Sequence, residues 1–408
     1  MSILRYGTDS SVQLDFGQCT LLAECGNGEA GAPLDLADAV RQALAEPVGI
    51  PALAQCITPS DQITIALEEA VPQGEEIAAQ VVNHLIESGV TADGIIVLRS
   101  AADVAAGRGN PLPLLSEDLQ NRIRLVDHDP NDQQALAFLA TAKSGDPVWL
   151  NRVLTDADMV LPIGSIHGRA VPGHFGIHTA IYPTFADQAT QTRFCSPQTI
   201  GDRGRHRRKL VEAVDEIGWL LGIMFTIQVV PVTGDRAMHL VAGATEETCR
   251  RARALYRKAW RFDVDQRAGI VVAGIEGDRR RQTWQNLARS LVAASECVED
   301  GGAIVVCCDL EDEPGEAVDR LRRCRSSEEA LGEITEQPTP DALVAAQLVR
   351  SLERVDLYLR SGLGRDLLED LMIAPVESDD EVNRLVNRFP TAIVLGNAPQ
   401  TIVRVVSD

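Results

Sequence analysis

The chain has 408 residues, 45% of them hydrophobic, with 59 acidic against 38 basic side chains and a formal charge of −21. That length exceeds one ordinary core and predicts two domains of roughly 150 to 250 residues each. The acidic balance excludes general attraction to nucleic acid or anionic membranes and favours a soluble protein that handles a small molecule.

No apolar run reaches the length of about eighteen residues that a membrane span needs, and the N-terminus MSILRYGTDSS has no leader pattern, so a cytoplasmic location is expected. The nine cysteines show no C-x-x-C spacing and read as reduced thiols rather than as a disulfide frame or a zinc site. A homodimer is left open.

In chain order, residues 1–26 alternate apolar and polar through Val12, Leu14 and Phe16 and again over 20–23, the pattern of a hairpin. Gly26-Asn27-Gly28-Glu29-Ala30-Gly31 has the spacing of a dinucleotide-binding turn. Pro33 nevertheless separates it from a helix at 35–45 that starts on an Asp cap, so the glycines read as an ordinary loop.

A strand at 63–67, an amphipathic helix at 75–89 stopped by glycine, and a strand at 94–100 make a βαβ unit, which implies a parallel sheet covered on both faces. A short strand at 123–126 leads to Asp127-His128-Asp129-Pro130, where His128 reads as a turn residue satisfied locally. A strand at 148–151 and a helix at 152–157 then deliver the chain to an apolar run opening at Met159 and ending at Pro162.

Three of the seven histidines, His167, His174 and His178, follow within twelve residues, with Gly168, Gly173 and Gly176 between them. Loops after strand C-termini are where open α/β sheets hold ligands, and glycines let a backbone approach closely. The spacing H-x6-H-x3-H resembles a metal set, but Gly173 and Gly176 oppose the helix that would turn an i, i+4 pair to one face. Past Cys195, Gly201 to Lys209 is the one dense basic patch. It reads either as an anion holder or as the solvated first turn of a helix at 208–221.

Strands at 223–233 and 239–244 and a charged helix at 245–260 close this half, and the junction is expected at 262–268. The second half restarts the pattern with a strand at 268–275, a helix at 285–296 and a strand at 303–310. Helices at 340–352 and 363–371 follow, then a closing strand pair at 391–396 and 401–406. The acidic stretches 309–319 and 377–381 read as solvated loops. The expected division is thus 1–262 and 268–408.

LAEPVGIPALAQ, VDHDP, SGDPVWLNRVLTDADMVLPIGSIH, GHFGIHTAIYPTF and ASECVEDGGAIVV together resemble the lactate racemase family over most of the chain. The resemblance implies two α/β domains with mainly parallel sheets and a cleft between them. It also implies a nickel-pincer nucleotide, a pyridinium nucleotide with nickel held by sulfur and carbon. Two histidines would exchange a proton with a 2-hydroxy acid while hydride moves to and from the pyridinium ring.

Carried over by position, His167 is the catalytic histidine, and Gly173, Gly176 and Thr179 line the nucleotide. Gln285 and Arg289 face substrate, and Cys195 lies near where the family's nickel histidine falls; the histidine spacing adds His174 and His178 as metal candidates. The chain departs from the family at four places. Ala66-Leu67-Glu68-Glu69-Ala70 stands where the family has an arginine-bearing run, and Ser100-Ala101-Ala102-Asp103 replaces the other catalytic histidine with nothing able to take a proton near neutral pH in the same way. Thr179 replaces the lysine that tethers the nucleotide, and Ala288 the substrate lysine, unless Arg289 substitutes. The expectation is a hydroxy-acid racemase or epimerase with a degenerate centre, or a cofactor-free binding or regulatory relative on the same scaffold.

Overall fold

The computed structural model describes residues 1–26, 34–168, 173–197 and 205–406. The Gly26 to Gly31 motif and the start of the basic patch at 201–204 therefore lie largely outside the described residues. The protein is α/β, built on two six-stranded sheets with mainly parallel strands.

The first sheet has the order Ala237–Ala244, Phe225–Pro231, Met159–Ser165, Ile63–Leu67, Ile95–Arg99, Arg124–Asp127, and only its first pair is antiparallel. Ile63–Leu67 is buried at every position, as a central parallel strand with helices on both faces must be. The helix Gly74–Glu87 covers it with Ile77, Val81, Val82 and Leu85, each contributing roughly 1.5–3 kcal/mol on burial. Asp35 caps the helix Leu36–Ala45, its side chain accepting from the Asp38 N–H, as the sequence suggested. The strand opening at Met159 runs on through Pro162 to Ser165; its ladder to Phe225–Pro231 begins only at Ile163, so Pro162, with no N–H to donate, precedes the pairing on that side.

The second sheet is all parallel, in the order Ala374–Pro375, Asp356–Arg360, Val298–Cys307, Ala268–Gly274, Thr391–Leu395, Thr20–Cys25. Its last strand corrects the expected division at 262. Thr20–Cys25 pairs with Thr391–Leu395, while Leu4, Tyr6, Val12 and Leu14 of the hairpin Ser2–Tyr6/Ser10–Leu14 pack on Ile270 and Val305. The first 25 residues thus lie with the C-terminal half.

The closing strands do not pair with each other. Ile402–Val405 joins Arg261–Val264 in a small parallel ladder beside the junction. Two acidic stretches expected as loops contain helices, Glu316–Leu321 and Asp379–Val386. Their carboxylates sit in first turns, where the helix dipole favours them. Among the described residues no helix is long and apolar enough to cross a membrane.

Candidate functional site

In each sheet the chain runs outward from a central strand in both directions, so a crevice opens at the carboxyl ends where the order reverses, the usual ligand position in open α/β folds. In the first sheet this point lies between Ile63–Leu67 and Met159–Ser165, and in the second between Ala268–Gly274 and Thr391–Leu395. The first of these crevices and the loop leaving Ala268–Gly274 enclose one cavity of about 110 Å³. Its walls are Glu68, Glu69, Arg108, His167, His174 and Thr179 on one side and Arg280, Arg281, Gln285, Asn286 and Arg289 on the other.

Glu68 is seated at the first switch point. Its N–H donates to the Ile163 carbonyl at 2.9 Å, and its Oε2 accepts from the Ser165 N–H at 2.8 Å. Gly164 is small because a Cβ there would lie 2.7 Å from that oxygen. The other carboxylate oxygen, Oε1, stands 3.7 Å from His174 Nδ1, a buried nitrogen with no hydrogen-bond partner among the described residues. The rings of His174 and His167 meet edge to face, with centroids 5.0 Å apart. His167 is held well below its ordinary pKa, first by burial and then by the charges of Arg289, His174 and Arg281. It is therefore a neutral imidazole near pH 7, free to accept a proton.

Glycines shape the loop that carries these rings. Gly173 has a φ of 82°, and a Cβ on it would lie 3.0 Å from Gln285 Nε2 across the cleft. Gly176 has a φ of 130° and opens the short helix Ile177–Ala180. Thr179 is buried and braces the loop: its hydroxyl accepts from the Phe175 N–H at 2.9 Å, and its carbonyl accepts from Thr184 Oγ1 at 2.6 Å. Arg207, from the basic patch, donates to the His174 carbonyl at 2.6 Å and stacks on Phe175. This member of the patch holds the loop in place.

On the opposite wall, Gln282 donates to the Gly277 carbonyl at 2.8 Å and accepts from the Asp309 N–H at 2.9 Å, pinning the turn that presents Arg280 and Arg281. Thr283 caps the helix Trp284–Cys297 by accepting from the Asn286 N–H. Asn286 donates to the Arg281 carbonyl at 2.7 Å and accepts from Arg289 at 3.3 Å. Burial, then the neighbouring Arg281, lowers Arg289 to about 10, so it stays charged at neutral pH.

The metal candidates are not brought together. His178 points away from His174, its ring packed where a Cβ on Gly218 would lie 2.4 Å away, and burial lowers it to about 4. Cys195 lies near the Pro340 carbonyl at 3.8 Å with its thiol pushed up to about 11 by burial, then by Glu69 and Asp341, and is no ready thiolate. Among the described residues no group of three or more histidine, cysteine or carboxylate side chains has the arrangement of a metal site. His128, expected to be satisfied within its turn, is held by distant partners instead. It donates to the Ala186 carbonyl at 2.9 Å and accepts from Asn151 Nδ2 at 3.2 Å.

Sequence reasoning missed Arg108, Arg281 and Asn286, which carry no motif and are assembled only by folding. It also undervalued Asp103. This side chain is buried and its Oδ1 accepts from the Ala70 N–H at 3.2 Å; burial, then Glu69, raises its pKa to about 7. A group that takes a proton near neutral pH therefore does stand in the 100–103 turn.

These residues do not fit the nickel-pincer nucleotide as the resemblance implies it is held. Thr179 has no amine for the tether and its hydroxyl is already engaged. Glu68 and Glu69 put carboxylates where the resemblance implies a cationic side chain.

Residues 6–196 match the lactate racemase N-terminal domain. No curated protein matches the sequence at a significant level. In fold the chain is similar to the lactate racemase apoprotein of Thermoanaerobacterium thermosaccharolyticum, with a TM-score of 0.78 over 98% of this chain and 99% of that one at 17% identity. It is also similar to a structural-genomics target protein of Thermotoga maritima, with a TM-score of 0.63 over 93% and 100% at 14% identity. The chain thus carries a lactate racemase N-terminal domain over residues 6–196, on a fold that it shares over nearly its whole length with a lactate racemase apoprotein.

Proposed function

We propose that this chain binds a small 2-hydroxy acid between its two domains and acts on it as a racemase- or epimerase-type isomerase, through a centre that no longer tethers a nucleotide. The observation that carries this reading is the neutral His167 imidazole in the same small cavity as the Arg289 guanidinium. Arg289 anchors the substrate carboxylate as a fork. His167 accepts the hydroxyl proton, and His174, backed by Glu68 at 3.7 Å, stabilises the imidazolium so formed; inversion at C2 would also need a pyridinium nucleotide, held without its tether, as the hydride acceptor. Gln285 and Asn286 complete the polar wall facing the substrate.

A second reading, a binding or regulatory protein on the same scaffold, is favoured by Thr179, whose hydroxyl is committed to its own loop. One set of measurements separates the two. Full-length protein from a host that makes the pincer nucleotide is assayed for nickel, for an absorbing chromophore and for exchange of substrate hydrogen with D- and L-lactate. Exchange that disappears in His167→Gln supports the isomerase. Lactate binding without exchange, in colourless and metal-free protein, supports the binding protein. Neither binding nor exchange overturns both.

A further inference from the structure

Four arginines line the cavity; Arg280 is paired with Glu75, and the proposed carboxylate anchor occupies only Arg289. Arg281 is 6% exposed, and its Nε has no hydrogen-bond partner. Arg108, reaching in from the opposite domain, also has a buried, unpartnered Nε. Among the described residues neither guanidinium forms an ion pair, because the nearby carboxylates are engaged elsewhere or stand off. Glu68 accepts from the Ser165 N–H, and Asp103 accepts from the Ala70 N–H. Glu75 accepts from the Gly109 N–H at 2.9 Å and pairs with Arg280 at 3.3 Å. Asp235 acts on Arg281, and Glu69 on Arg108, only through their fields.

A buried guanidinium with idle donors is costly unless an oxyanion meets it. Two such forks facing one cavity exceed what a single carboxylate already held by Arg289 can satisfy. We propose that the natural ligand is a 2-hydroxy acid carrying a second anionic group, a carboxylate or a phosphate, held between Arg108 and Arg281. This rests on the hydroxy-acid reading and narrows it to dianionic substrates. Lactate then fills only half of the site.

The test is calorimetric binding to the full-length protein of lactate, of malate, which adds a carboxylate, and of 3-phosphoglycerate, which adds a phosphate. At least one of the two larger acids is expected to bind roughly tenfold or more tightly than lactate, the lower end of what a charge-assisted hydrogen bond contributes. Preference for 3-phosphoglycerate alone identifies the second group as phosphate, and preference for malate shows that a carboxylate suffices. Arg281→Met, and independently Arg108→Met on the other domain, bring the affinity ratio down to about one. Lactate binding as tightly as both larger acids, or a preference that survives both substitutions, overturns the inference and leaves the hydroxy-acid reading standing. Failure of all three acids to bind removes the reading beneath it as well.

Discussion

The two walls of the cleft are made from the same structural part, the carboxyl ends of a parallel sheet, yet they are chemical opposites. The wall from the first sheet presents carboxylates and imidazoles, Glu68, Glu69, His167 and His174, with Arg108 as its one cation. The wall from the second presents guanidinium and amide groups, Arg280, Arg281, Gln285, Asn286 and Arg289. Groups that gain and lose protons are thus kept apart from groups with fixed charge. The fixed charges of the second wall then tune the first: Arg289 and Arg281 help hold His167 neutral. The difference teaches a division between chemistry and anchoring that substitutions on either side can test.

The largest expected effect is on the proton-handling wall. His167→Gln keeps a polar side chain but removes the proton acceptor, and it should lower exchange of substrate hydrogen by about 10²–10⁴-fold with little change in substrate binding. Arg289→Met should do the reverse, weakening binding about tenfold or more and moving KM rather than kcat. Initial rates across a substrate series distinguish the two. A His167 variant that loses binding along with turnover would merge the walls into one functional unit.

Next comes Asp103, which stands behind the first wall. Its carboxyl is raised from 3.8 to about 7, so the folded state holds a proton that the unfolded state releases between those pH values. Its contribution therefore falls as pH rises through that window, by about 4 kcal/mol in all. Asp103→Asn keeps an oxygen to accept from the Ala70 N–H and removes the titration. The variant should be more stable than the parent at pH 8 and should lose the advantage toward pH 4. Urea denaturation at the two pH values reads this directly, and parallel curves for parent and variant would show that Asp103 is ionised throughout.

Much of the scaffold was legible in the sequence because parallel sheets leave local marks. Fully apolar runs such as 63–67 and 268–274, helices with one apolar face, and the cap Asp35 follow from periodicity and hydrogen-bonding chemistry alone. The strand Thr20–Cys25 did not, because its partner lies some 370 residues away in the chain and nothing local chooses between two parallel sheets. The site was legible where glycine and histidine cluster and illegible where arginine acts. Arg108 and Arg281 look like ordinary surface residues until folding buries them against each other's field. The histidine spacing misled for a related reason. Gly176 redirects the chain between His174 and His178, sending one ring to the cleft and the other under a helix.

That last contrast gives the smallest prediction of the series. Burial lowers His178 from 6.5 to about 4, so the unfolded state binds a proton that the folded state refuses across that interval. Its stabilising contribution is complete above about pH 6.5 and is lost as pH falls toward 4, an effect of about 3 kcal/mol and opposite in sign to that of Asp103. His178→Phe preserves an aromatic ring against the helix at Gly218 and cannot titrate, so its stability should stay level over the acid range in which the parent weakens. The same substitution should leave ligand binding in the cleft unchanged, since His178 is packed behind the loop and not in the cavity wall. A His178→Phe protein that folds with parental stability at pH 7 but loses ligand affinity would mean that the third imidazole reaches the cleft after all. The separation of the loop into a reactive face and a structural face would then fail.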